Sequence, residues 1–192
     1  MTKSATFAVL TAAGILCATS GCSVVRSTEP MGTSPVSLVP EEWDGTWQAP
    51  GSSGFCVVKV TDAEAGKLDV AFTGIEDERI RMRTLHVQIR QSGDWTFFSV
   101  PAQEFANQGD EVKDGYFWGR IKKEGDRAVF WLPHFKRIEA AVAEGRLPGR
   151  KISDSEIVLN PLDESHYRFL TSGEKGVLLD WESPGVLIRI PR

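Results

Sequence analysis

Residues 95–100 and 129–132 are apolar on both of the faces that an extended chain presents. Successive side chains of a strand alternate sides, so Trp95 and Phe97 oppose Phe98 and Val100, while Val129 and Trp131 oppose Phe130 and Leu132. A sheet lying open on one side would carry polar residues on one of those faces. The second face must therefore be covered by a helix, line an internal cavity, or meet a partner. No other feature of the chain constrains its fold as tightly.

The neighbouring stretches read as strands with one apolar face. Cys56, Val58 and Val60 alternate along 55–61, a turn over 62–66 follows, and Leu68, Val70 and Phe72 alternate along 67–73. Leu85, Val87 and Ile89 repeat the pattern before Gln91-Ser92-Gly93-Asp94 turns the chain into 95–100. Residues 116–122 and 127–132 flank a Glu124-Gly125-Asp126 turn. Links this short give a meander of antiparallel strands. Pro133 precedes Phe135, Ile138 and Val142, which share one stripe, and Gly145 stands where a C-terminal cap belongs; this predicts a helix near 134–144. Residues 156–159 suit a strand, 163–171 suit either a short helix or a strand, and 176–181 with 186–190 suit a closing hairpin around Ser183-Pro184-Gly185. The expected class is α+β: mainly antiparallel strands closing into a barrel or half-barrel, with one short mid-sequence helix.

The first 22 residues read differently. Lys3 is followed by an uncharged run over 5–18, then by Thr19-Ser20-Gly21-Cys22. That run of 14 positions is shorter than the roughly 17–25 residues of a membrane-spanning helix. The layout is that of an export signal. It resembles a bacterial lipoprotein signal with its lipobox, although Thr19 stands where that family usually has leucine. Ile15-Leu16 before Cys17 is too bulky for the same cleavage. The resemblance implies that residues 1–21 are removed, that Cys22 is acylated, and that the protein is held at a membrane of the cell envelope. In a Gram-negative host Ser23 resembles the pattern sorted to the outer membrane, facing the periplasm. Residues 23–40, rich in Ser, Thr and Pro, read as a tether, so that 22–40 forms the lipidated cysteine and a flexible linker and 41–192 one domain. As a coil that tether would span roughly 25 Å.

Removing 21 of the 192 residues leaves 171, enough for one domain with a sizeable core. Losing Lys3 takes the formal charge from −4 to −5, which gives nucleic-acid binding no support. The densest basic run, Arg79-Ile80-Arg81-Met82-Arg83, follows Glu76-Asp77-Glu78 and reads as a solvated strand edge or loop rather than an anion site. Of three cysteines, Cys17 leaves with the signal and Cys22 is taken by lipid, so Cys56 stands without a disulfide partner.

Trp43-Asp44-Gly45-Thr46-Trp47 resembles the start of a lipocalin barrel. That resemblance implies that Trp47 closes one end of the barrel and that Arg189, on the last strand, packs over it. No Thr-Asp-Tyr motif occurs mid-chain, and no helix follows the last strand. The segment from Trp131-Leu132-Pro133 to Gly145-Arg146-Leu147-Pro148-Gly149 also resembles small bacterial lipoproteins, a likeness that implies no activity.

Residues able to carry chemistry are scattered. Cys56 shares a face with Val58 and Val60, where burial would raise its pKa, and reads as a small core residue. His86, His134 and His166 lie in separate segments with no metal-ligand spacing. Asp62 and Glu64, and Asp110, Glu111 and Asp114, sit in turns without calcium-loop spacing. No phosphate loop occurs, and Ser52-Ser53-Gly54 lacks a nucleophile elbow. No metal or cofactor is implied. The expected function is non-enzymatic binding of an apolar or amphiphilic ligand inside the barrel, with Trp47, Trp95, Phe97, Trp118, Trp131 and Arg189 as its contacts. Two alternatives remain open: an envelope scaffold or inhibitor that holds another protein through an aromatic surface, and an envelope enzyme.

Overall fold

The computed structural model describes residues 23–52, 54–76, 79–105, 114–173 and 176–191, with only the backbone for 74–76 and 79–81. The expected signal, Cys22, Asp110 and Glu111 lie outside the described residues. Eight antiparallel strands close into a barrel: β3 (Gly45–Gln48), β4 (Phe55–Asp62), β5 (Lys67–Glu76), β6 (Arg79–Ser92), β7 (Trp95–Pro101), β8 (Tyr116–Glu124), β9 (Arg127–Trp131) and β12 (Gly185–Arg189). Consecutive strands from β3 to β9 pair in order, and β12 completes the ring between β9 and β3. The fold class is thus the one expected, a mainly antiparallel barrel with short helices.

The ring is joined to an annex through β8. Its first residues pair with β1 (Val24–Ser27), through Arg26↔Phe117 and Ser27↔Tyr116. Its later residues, from Arg120 to Glu124, pair with β9. Beyond β1 the sheet continues through β11 (Glu156–Leu159), parallel to β1, to β10 (Gly149–Ser153) at the edge. Helices α2 (Phe135–Ala143) and α3 (Glu164–Leu170) complete the annex. Helix α2 presents Phe135, Ile138 and Ala141 inward, and Gly145 follows it at a φ of 70°. Asp163 settles the ambiguous segment as helix α3. Its carboxylate accepts from the His166 backbone N–H at 3.0 Å, while the Asp163 N–H donates to the His166 ring at 3.2 Å.

The doubly apolar strands are the wall between two cores. On one side Phe98, Val100 and Phe130 face the barrel interior; on the other Trp95, Phe97, Trp118 and Trp131 pack against the annex. Both the cavity and the covering helix allowed for in the sequence are present, one on each face.

Residues 24–40 are not a flexible tether. Val25 and Met31 are buried in the annex core, and Leu38 in the barrel core. The segment runs as a strap across the molecule, with β2 (Ser34–Pro35) paired to β6. Its Met31 N–H donates to Ser99 Oγ at 2.9 Å, its Gly32 N–H to Tyr167 Oη at 2.7 Å, and its Leu38 N–H to the Ala63 carbonyl at 2.9 Å. Polar composition concealed these contacts because most of the strap's partners are backbone and hydroxyl groups. The expected closing hairpin is also absent. Leu178 and Leu179 are buried in the annex, Leu179 bridges Pro133, and β12 spends its hydrogen bonds on β9 and β3.

Helix α1 (Pro40–Trp43) follows the strap at one end of the barrel. No helix among the described residues is long and apolar enough to cross a membrane.

Two inward rings depend on missing side chains. Phe98 is paired with Gly119 and Phe130 with Gly185, and each ring lies over its glycine. A Cβ on Gly185 would stand 1.9 Å from Phe130 Cζ. We predict that Gly185→Ala, by displacing this ring, lowers unfolding free energy by about 1–3 kcal/mol, as overpacking does. Urea titration with an unchanged m-value would check it; unaltered stability would contradict the packing described.

Candidate functional site

The barrel interior holds an apolar cavity of about 120 Å³. Its wall takes alternate residues from successive strands: Val58 from β4, Leu68 and Val70 from β5, Leu85 and Val87 from β6, Phe98 and Val100 from β7. Period-2 alternation puts these side chains on one face, and closure of the ring turns that face inward. Eight strands leave an interior just wide enough for side chains or one small ligand.

One end of the cavity is built around Trp43 and Trp47. Trp47 is 1% exposed, and its indole N–H donates to the Trp43 carbonyl at 2.9 Å. Lys123 lies nearby, with Nζ 3.2 Å from Glu42 and 5.7 Å from the centre of the Trp43 ring. At the other end β5 and β6 run past the last pairs of β4 and β7, and Phe72, Leu85 and Phe105 are half-buried.

Of the six expected ligand contacts, the structure places Trp47 alone in the cavity wall. Arg189 is paired opposite Trp47, and its guanidinium donates to the Asp44 carbonyl at 2.7 Å. Trp95, Phe97, Trp118 and Trp131 are on the annex side of the wall, where they cannot reach the interior. Trp95, Trp131 and Trp181 instead surround the Arg120 guanidinium, whose carbon lies 3.7, 5.4 and 5.3 Å from their ring centres. Burial lowers the Arg120 pKa, yet arginine remains a cation in this setting and is held by the faces of the rings. The lining rings Trp43, Phe72, Phe98, Phe105 and Phe130 lie outside the expected set of ligand contacts. The signal that finds Phe72 is its alternation with Leu68 and Val70.

Cys56 faces the cavity and is 2% exposed. Burial pushes its thiol up to about 11, with a backbone hydrogen bond opposing weakly. The histidines are elsewhere. His86 projects from the outer face of β6, where its ring contacts Glu104 at 2.9 Å; His134 precedes α2; His166 caps α3. No group of three or more possible metal ligands occurs among the described residues.

A second depression of about 370 Å³ lies between the strap and α3. Several of its polar groups are engaged in holding the strap. Arg90 donates to the Gly32 carbonyl at 2.9 Å, Ser27 Oγ to the Glu29 carbonyl at 2.7 Å, and the Tyr167 hydroxyl accepts from Gly32. The barrel interior is the better candidate for an apolar guest, because the described residues that line it are apolar. No protein-family model, curated protein or solved structure matches the chain.

A thiol at about 11 rather than 9 carries about a hundredth of the thiolate at neutral pH. We predict that Cys56 in the folded protein reacts with a disulfide reagent at pH 7.5 at least about 100-fold more slowly than in the unfolded chain. The raised pKa also favours the folded state fully below the unfolded thiol's pKa. That contribution is lost progressively as the pH rises through 9 towards 11. Rapid labelling of the folded protein would contradict this environment.

Proposed function

We propose that this is a lipid-anchored, non-enzymatic envelope protein whose barrel takes a slender apolar group, one ring or a short alkyl segment, into its interior. The observation that carries the reading is the apolar cavity of about 120 Å³ inside the ring. An apolar cavity of about 150 Å³ stays dry and admits benzene or xenon, and the barrel interior is of the same order and equally apolar. An amphiphile would leave its polar part outside, since the described residues of the wall offer no side-chain carboxylate, amide or hydroxyl to receive it. The alternative of protein docking through an aromatic surface is weakened because Trp95, Phe97 and Trp118 are buried beneath the annex. Catalysis by Cys56 is opposed by the raised pKa and because no histidine is among the described residues of the cavity wall.

The anchor is argued from the sequence: Lys3, the uncharged run over 5–18, and Ser20-Gly21 before Cys22. Acyl chains at about 0.8 kcal/mol per buried methylene make such attachment persistent. In a Gram-negative host the reading places the protein at the outer membrane, facing the periplasm.

Benzene tests the barrel reading. At ten times its dissociation constant, a ligand that binds only the folded state adds about 1.4 kcal/mol, a rise of roughly 3–6 °C in Tm. We expect such a rise for the parent protein and its loss in Val70→Phe, which fills the cavity from a half-buried position. No stabilisation of the parent at any benzene concentration would overturn the proposal.

A further inference from the structure

We infer that no free spacer separates the anchor from the fold, so that the surface of the anchoring bilayer is itself the docking partner of one end of the annex sheet. This rests on the proposed acylation of Cys22 and adds to it an orientation. Strand β1 begins at Val24, two residues beyond Cys22. Two residues of extended chain reach at most about 7 Å. The lipid attachment point is thereby confined to the neighbourhood of the first residue of β1.

That strand is not free to peel away. It lies between β11 and β8 in the sheet, and Val25 and Ser27 are buried. Arg26 is locked by the Glu156 carboxylate, with Nε–Oε1 at 2.8 Å, and donates also to the Asp114 carbonyl. Removing one partner from such a buried pair is costly, because the remaining charge is left uncompensated. Fraying enough strand to make a tether would expose these groups.

What meets the bilayer follows from what surrounds Val24. Its N–H donates to the Ser155 carbonyl at 2.7 Å, which sets the β10–β11 turn beside the anchor. Within that turn Asp154 is fully exposed, and Ile152 just before it is 48% exposed. Lys151 Nζ stands 2.9 Å from both Asp154 and Glu139, so charge on this face is largely paired. Headgroup charge therefore neither drives nor prevents the contact; the covalent reach of the chain imposes it. On the opposite side of the barrel, four strands from β8 in the ring, Phe55 and Val57 of β4 point away from the annex.

The test uses the full acylated chain in phosphatidylethanolamine–phosphatidylglycerol vesicles that contain a headgroup nitroxide lipid. A fluorophore is attached at Ile152→Cys in one sample and at Phe55→Cys in another, the buried Cys56 thiol being slow to label. Several-fold stronger quenching at 152 than at 55 is expected. A Gly-Ser insert of about 16 residues after Ser23, reaching roughly 20–24 Å as a coil, should abolish that difference while vesicle flotation persists. Equal quenching at the two sites in protein shown by mass to be acylated would overturn the orientation and leave the anchor standing. Unchanged acylation and flotation in Cys22→Ala would overturn the anchor, and the inference with it.

Discussion

The wall formed by β7, β8 and β9 is the feature on which the rest of the structure depends. Its two faces belong to two different cores, with Phe98 and Phe130 on one and Phe97, Trp118 and Trp131 on the other. Each core needs the wall to exclude water from its own side. Neither the barrel nor the annex can bury its apolar residues without it. Truncating any one large ring in such a wall would cost on the order of 3–5 kcal/mol, a large share of a typical domain's net stability. The exchange of partners along β8, from β1 at its start to β9 at its end, lets one strand serve both bodies.

Closure of the ring has a chemical consequence. Among the described residues the inward faces of its strands carry Val, Leu, Ile, Ala, Phe, Trp and one thiol, side chains that offer a polar molecule little to orient it. Among the described residues Cys56 is the sole candidate nucleophile facing it, and the same burial that makes the cavity apolar disarms the thiol. Glycines opposite Phe98 and Phe130 let those two rings meet edge to face, with centres 6.1 Å apart. The cavity is what this packing leaves unfilled.

Much of the barrel was legible because an antiparallel strand announces itself locally. Alternation marked the apolar faces of β4, β5 and β6, and Gly93 and Gly125 marked two of the tight turns. Alternation separates two faces but does not say which will be inside. Trp95 and Phe97 therefore entered the expected ligand set, although their face meets helices and their neighbours Phe98 and Val100 line the cavity. The strap was illegible for a different reason. Its strand β1 has four residues, and its parallel partner β11 lies about 130 positions away, so no local pattern reports the pairing. Residues 176–181 failed likewise: their apolar content serves annex burial rather than strand alternation.

The strap alters what the start of the chain implies. A domain on a long coil would sample every orientation at a membrane, whereas on the proposed acylation of Cys22 the fold begins two residues after the lipid and is held by a fixed side. The central claim is that the double-faced wall holds barrel and annex as one cooperative unit. Native-state hydrogen exchange tests it most directly. The account predicts that the amides of Phe98, Val100, Trp118 and Arg120 are among the slowest to exchange, opening only with global unfolding, as do those of Ile157 and Leu159 in the annex. Exchange of the β7 and β8 amides through a sub-global opening, with the annex still protected, would contradict it.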